Sequence, residues 1–290
     1  LPGQLSHLAP RPYASSGTFD RVLEKIDRAR EDEGLIVGID TFPDIWGPGM
    51  AVALLPPWVY EGEREEVLQR LGSPETVEKC RGHFSDPTNY LLRLGGLDMF
   101  YLSSSIAYPE LAGKNLVEIG ETFGCDPVEA VFRLVLADGA DFYNVMLRHI
   151  FATSAELDQL LMNPYCSVES DGVVTATDGL LSNFTMNRSS FGYTIRFIEE
   201  YVLQRNIISL EEAIRKMTSL PADSAGLSNR GRIEAGKAAD LVVLDLDKLA
   251  DNSTDDVPQA YPSGVELVVV NGEVVLDHGH RVDILPGGFA

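Results

Sequence analysis

The sequence predicts an α/β fold, and three observations carry that prediction. A short apolar run at Gln4-Leu5-Ser6-His7-Leu8, a helical pattern and a second apolar run at Leu35-Ile36-Val37-Gly38-Ile39-Asp40 give a strand, loop, helix, strand rhythm. Helical and strand-like patterns alternate again between residues 126 and 169. The last fifty residues change to short strands around an Asn271-Gly272 turn.

Taken in order, the first run ends on His7, and a Pro- and Ser-rich loop leads to Gly17. Thr18 is expected to cap a helix, because Phe19, Val22, Leu23, Ile26 and Ala29 recur at helical spacing with charges between them. Gly34 ends it, and the continuous apolar run over 35–40 is what a parallel strand covered on both faces requires. From Thr41 to about Gly124 the rhythm breaks. Phe42-Pro43, Trp46-Gly47-Pro48-Gly49 and Leu55-Pro56-Pro57-Trp58 hold too much Pro and Gly for a central strand, and short helices fit 65–71 and 74–81. This stretch reads as an inserted excursion, of the length that forms a lid or a substrate pocket, with Trp46 and Trp58 packing inside it.

Regularity returns at Asp126, a cap with Pro127 in the first turn of a helix to 137, followed by a strand over 142–150. Thr153 and Glu156 form a capping-box pattern, and Asn163-Pro164 stops that helix. A strand over 165–169 then delivers Ser170-Asp171-Gly172 into a loop that lasts to Ser190. Asp-Gly alone is an ordinary turn signal. A carboxylate leaving a buried strand nevertheless needs a partner, since an unpaired buried charge is costly. Helices over 191–204 and 209–218, the second with a Ser209 to Glu212 capping box, precede strands over 240–246, 265–270 and 273–276.

Composition narrows the function. With 23 Lys plus Arg against 44 Asp plus Glu, a formal charge of -21 repels phosphate backbones and anionic lipid, so nucleic acid and membrane partners are not expected. Leu1 to Pro12 lacks the basic start and apolar centre of a signal peptide, and a soluble, cytoplasmic protein is expected. Cys80, Cys125 and Cys166 are odd in number and widely spaced, which argues for free thiols. The chain opens on Leu1, in what reads as the end of a strand, so an upstream portion is expected to be missing.

The tail Met217-Thr218-Ser219-Leu220-Pro221-Ala222, Gly226-Leu227, Arg230-Gly231-Arg232-Ile233, Gly236-Lys237-Ala238-Ala239-Asp240-Leu241 and Val269-Val270-Asn271-Gly272 resembles the end of an amidohydrolase-superfamily enzyme. Ser6-His7, Asp40 with Phe42-Pro43, Leu55-Pro56-Pro57-Trp58 and Ser170-Asp171-Gly172 fit, in the same order, its D-aminoacylase or N-acyl-D-amino-acid deacylase branch.

The resemblance implies the C-terminal part of a TIM-like barrel, strands six to eight, over residues 1–235, with an excursion at about 44–124, and part of a small β-sandwich over 236–290. It implies a hydrolase of carbon–nitrogen bonds other than peptide bonds, using one or two Zn2+ ions, with His7 and Asp171 as metal ligands and Asp171 as the acid/base. Zinc binds neutral imidazole and brings the pKa of its bound water toward ~7, and a nearby carboxylate can carry the proton to the leaving amine. The family's remaining ligands are not found upstream of His7. The chain alone is therefore expected to be an incomplete barrel that binds zinc weakly. Partners are a small-molecule substrate and the missing N-terminal half, with a homo-oligomer left open. His278-Gly279-His280 imitates a metal motif but falls beyond the last hairpin, where the resemblance places a variable loop.

Three departures concern the substrate. Ala9 stands where the branch has a lysine, Phe42-Pro43-Asp44 replaces Tyr-Pro-Tyr, and Asn187-Arg188-Ser189 (or Met186-Asn187-Arg188) replaces His-Pro-Arg. Arg188, Asp44 and Phe42 are thus the candidate substrate-binding residues, and Asp44 is expected to repel a carboxylate. The alternative is a non-catalytic relative or half-subunit that serves binding or assembly.

Overall fold

The computed structural model describes residues 3–9, 17–86, 96–183, 187–255 and 257–288; the expected loop over 10–16, part of the excursion at 87–95 and residues 184–186, with Met186, lie outside them. Among the described residues the strands are β1 (Gly3–Leu5), β2 (Val37–Thr41), β3 (Trp46–Met50), β4 (Phe100–Ser104), β5 (Met146–Ile150), β6 (Cys166–Val168), β7 (Leu241–Leu244), β8 (Val265–Val270), β9 (Glu273–Asp277) and β10 (His280–Arg281). They make three sheets, each with its own reason in the sequence.

The first sheet is parallel, in the order β1-β2-β6, with Leu5 opposite Ile39 and Ile39 opposite Cys166. The helix Thr18–Glu31 connects β1 to β2 and buries Phe19, Leu23 and Ile26 against Ile39, Leu160 and Cys166. Each of those three side chains contributes roughly 2 kcal/mol by leaving water. Its first turn begins after Gly17 in the left-handed conformation, so the expected Thr18 cap is corrected to Gly17 with Thr18 as first helical residue. The helices Ser154–Met162 and Leu210–Met217 begin at Thr153 and Ser209, whose hydroxyls accept from the backbone N–H of Glu156 and Glu212.

The second sheet is antiparallel, order β3-β5-β4, and is built wholly from residues between β2 and β6. The Trp46-Gly47-Pro48-Gly49 run is a strand, but an edge one, where a proline without an N–H is tolerated. The helix Pro127–Ala137, capped by Asp126, packs into the same apolar cluster as Leu102, Leu116 and Leu147. The segment between β2 and β6 thus forms a sheet of its own, with β5 as its central strand.

After β6 the helix Ser189–Arg196 continues directly into a π-helical segment, Phe197–Gln204. The third sheet is an antiparallel meander, β7-β8-β9-β10, in which Asn271 and Gly272 both take positive φ, as a tight hairpin demands. No helix among the described residues is long and apolar enough to cross a membrane.

Candidate functional site

Because β1, β2 and β6 are parallel, their C-terminal ends share one edge, the edge at which open α/β sheets bind ligands. His7 follows β1, Asp40 is the penultimate residue of β2, and Glu169 to Asp171 follow β6. Asp40 is the anchor of this edge. Its carboxylate is 9% exposed and accepts from Gln4 Nε2 at 2.5 Å, Ser6 Oγ at 3.0 Å and the His7 backbone N–H at 2.7 Å. Gln4 reaches it across Gly38, where an added Cβ would stand 2.0 Å from Gln4 Oε1.

His7 and Asp171 share an uncommon backbone state, with φ of 39° and 43°. The left-handed region strains a non-glycine residue by about 1–3 kcal/mol, and such residues cluster at functional sites. Each is pinned by a carboxylate: Asp40 accepts from the His7 N–H and Glu169 Oε2 from the Asp171 N–H. These charge-assisted bonds offset the strain. Behind Asp171 the turn closes on the helix that follows, since a Cβ on Gly172 would lie 2.9 Å from Ser190 Cα.

Glu169 is the residue that sequence reasoning missed. Burial pushes its carboxyl up to about 7, with Asp171 and Asp40 acting in the same direction and the Asp171 N–H and His7 opposing them. Its Oε1 is buried without a hydrogen-bond partner, as is Thr41 Oγ1. Burial, and then the charge of Glu169, push the Tyr193 phenol up as well. The available signal was the pair of acids, Glu169 and Asp171, bracketing Ser170 at the end of an apolar strand.

Orphaned acceptors at this edge suit a cation or a hydrogen-bond donor. Even so, no group of three or more His, Cys, Asp or Glu side chains among the described residues is arranged to hold a metal ion. Structural zinc sites take four ligands and catalytic ones three from protein. His7 and Asp171 alone do not fit a complete zinc site.

The candidate substrate residues fall into two environments. Phe42 is 1% exposed and stacks on Phe151 with ring centroids 4.4 Å apart. Asp44 is paired with two arginines. Arg188 donates to it at 2.7 Å and 3.2 Å, and Arg196 at 2.8 Å. Arg196 in turn donates to Asp251 at 2.8 and 2.5 Å, and Arg188 stands 3.6 Å from Asp255. Arg188 and Asp44 line one small cavity with Trp46, whose ring also meets Tyr101 edge-on. His278 and His280 sit exposed at the β9–β10 turn, apart from both clusters.

Residues 122–276, which carry β5, β6, Asp171, Arg188 and most of the third sheet, match the model of a family described as the amidohydrolase family. The chain belongs to that family. Among curated relatives it is 30% identical over 268 residues to the N-acyl-D-glutamate deacylase of Alcaligenes xylosoxydans xylosoxydans, covering 92% of this chain and 44% of that protein. It is 31% identical over 173 residues to the N-acyl-D-aspartate deacylase of the same organism, covering 60% of this chain and 32% of that one. A solved structure of N-acyl-D-glutamate deacylase from Bordetella bronchiseptica, complexed with zinc and a phosphonate mimic of the tetrahedral intermediate, aligns with a TM-score of 0.68 at 26% identity over 94% of this chain and 46% of that one. The crystal structure of D-aminoacylase shares the fold, with a TM-score of 0.69 at 23% identity over 98% of this chain and 48% of that one. The chain spans 44% of the length of the Alcaligenes N-acyl-D-glutamate deacylase and 46% of that of the Bordetella one.

Proposed function

We propose that this chain is the C-terminal part of a zinc-dependent amidohydrolase that hydrolyses the amide bond of an N-acyl-D-amino acid. The observation that carries the reading is the placement of His7 and Asp171, both in left-handed backbone and both pinned by carboxylates, after strands β1 and β6 on the same edge of one parallel sheet. In this reading β1, β2 and β6 are strands six to eight of a TIM-like barrel, and residues 236–288 are part of a small sandwich. The names of the relatives support the substrate class. Zinc, which the Bordetella relative binds, would take His7 and Asp171 from this chain and its other ligands from elsewhere in the complete enzyme. Asp171 holds the proton taken from the attacking water and delivers it to the amide nitrogen that leaves. Glu169, through the Asp171 N–H, fixes the direction of that carboxylate.

A second reading, a non-catalytic half-subunit that serves binding or assembly, is favoured by the lack of three grouped metal ligands among the described residues. One experiment separates the two. In the full-length protein, Asp171→Asn keeps the size of the side chain and removes the acceptor, so hydrolysis of N-acetyl-D-glutamate should slow by about 10² to 10⁴ in kcat. Near wild-type turnover with stoichiometric zinc retained would reduce Asp171 to a turn residue. A full-length protein with neither zinc nor turnover would favour the second reading.

A further inference from the structure

The loop that Asp171 opens closes on itself. Thr175 Oγ1 donates to the Leu181 carbonyl at 2.8 Å, and Ser182 reaches the Gly179 carbonyl through its N–H at 3.3 Å and its hydroxyl at 2.8 Å. Thr175 and Ser182 thus stand on its outgoing and returning limbs. Val174 and Leu180 are 86% and 92% exposed, so those side chains contribute no packing to hold it in place.

Gln259 grips this loop from outside. Its amide Nε2 donates to Thr175 Oγ1 and to the Ser182 carbonyl, both at 3.2 Å, one bond to each limb. Gln259 lies on the connection from β7 to β8, and that connection is fastened at its base. Ala250 and Ser263 exchange backbone hydrogen bonds at 3.4 and 3.0 Å, and a Cβ on Gly264 would stand 2.6 Å from Leu249 Cα. Farther along, Arg196 ties Asp251 to Asp44 in one ion-pair chain, Asn252 Nδ2 donates to the Tyr261 carbonyl at 2.9 Å, and the Tyr261 ring meets Phe191 edge-on at 5.3 Å. The amide therefore reaches the loop from a fixed support.

Asp171 is the residue that feels this grip. Its φ of 43° is a strained state, which persists only where the surrounding chain holds it. Upstream, Glu169 accepts from the Asp171 N–H; just downstream, the Ser190 hydroxyl accepts from the Val173 N–H at 3.3 Å. Beyond Val173 comes the loop itself, and a loop free to swing would pull on that bond and let Asp171 relax. We propose that Gln259 is a positioning residue for the hydrolysis, clasping both limbs of loop 173–183 and so keeping the Asp171 carboxylate in its working direction.

This rests on the acid/base role proposed for Asp171, but the clasp can be read apart from turnover. In the full-length protein, Gln259→Met keeps the length of the side chain and removes both donors. Two neutral hydrogen bonds bias an equilibrium by a factor of about 5 to 30, so hydrogen–deuterium exchange in peptides covering 173–183 should quicken by about that factor. With N-acetyl-D-glutamate, kcat should fall by about 5- to 30-fold and KM stay within about twofold, because a misdirected acid/base group slows the chemical step and leaves substrate binding alone. Gln259→Glu, which cannot donate to the Ser182 carbonyl, should behave like Gln259→Met, with circular dichroism confirming that both are folded. The proposal is overturned if folded Gln259→Met exchanges like wild type, if its loop exchanges faster while kcat is unchanged, or if the loss falls on KM alone. Turnover lost in Asp171→Asn but kept in Gln259→Met removes the clasp and leaves the proposed function standing. A wild-type protein without turnover overturns the proposed function, and exchange then decides the clasp by itself: quickened exchange upholds it and unchanged exchange overturns it.

Discussion

Arg196 is the keystone of the ion-pair chain, and its removal should be felt across the whole fold. It is 11% exposed and joins Asp44 to Asp251, two carboxylates more buried than itself. Arg196→Met keeps the apolar stem and deletes the guanidinium. Asp44 then still has Arg188 at 2.7 Å, but Asp251 keeps only the Ser253 N–H at 2.9 Å and hydroxyl at 2.6 Å. Breaking a buried pair from one side costs roughly 3–5 kcal/mol. The two Ser253 bonds place the loss at the lower end, ~3 kcal/mol. At about 2–4 °C per kcal/mol for a chain of this size, calorimetry should show Tm falling by about 6–12 °C. Asp251→Asn added to Arg196→Met removes the orphaned charge and should restore about 1–2 kcal/mol, because the cost lies in the uncompensated carboxylate rather than in the lost contact. A single variant that melts within about 2 °C of wild type, or a double variant less stable than the single, would refute this account of the network.

Two further outcomes are expected. Burial pushes the Cys166 thiol up to about 12 and the Cys80 thiol up to about 11, and the thiolate is the reactive form, so at pH 8 Ellman's reagent should find at most Cys125 in the native chain and all three cysteines after denaturation; three fast native thiols would contradict the packing of β6. Asp240 has its carboxyl held below its usual 3.8, first by the Asn271 backbone N–H at 2.8 Å and also by Arg230, so its contribution is complete above pH 3.8 and lost as pH falls through the depressed value. Asp240→Asn should therefore flatten the acid limb of a stability–pH curve measured by urea unfolding, and an unchanged limb would remove Asp240 from it.

What the sequence disclosed was mostly local. Asp126, Thr153 and Ser209 cap their helices because a side-chain oxygen needs to reach only two or three residues ahead, and Asn271-Gly272 turns its hairpin for a similarly short-range reason. Of the three parallel strands only β2 was readable as an unbroken apolar run, whereas β1 and β6 were read from the short mixed runs Gln4 to Leu8 and Tyr165 to Glu169. Trp46 to Met50 was harder, since Pro48 and two glycines read as loop unless one knows that β3 lies at a sheet edge. His7 and Asp171 were found through ordered motifs. Their shared left-handed backbone was not legible, because what stabilises it is a carboxylate from another strand in one case and a neighbouring acid in the other. The pairing of Asp44 with Arg188 joins positions 144 residues apart and leaves no periodic trace, which is why it was not legible.

The placement of the second sheet between β2 and β6 has a consequence for how the site comes together. Pairing Thr41 with Val168 across an unstructured chain would close a loop of about 125 residues, whose entropic cost grows as (3/2)RT ln n. The excursion folds around its own apolar cluster and sets Trp46 directly opposite Ile150. Once it has done so, only residues 42–45 and 151–165 still separate the two parallel strands, about 20 in all. The closure is then cheaper by about 1.6 kcal/mol, close to a fifteenfold gain in the likelihood of the encounter. The segment thus shortens the path by which Val168, and the Asp171 that follows it, reaches the strand that carries Asp40.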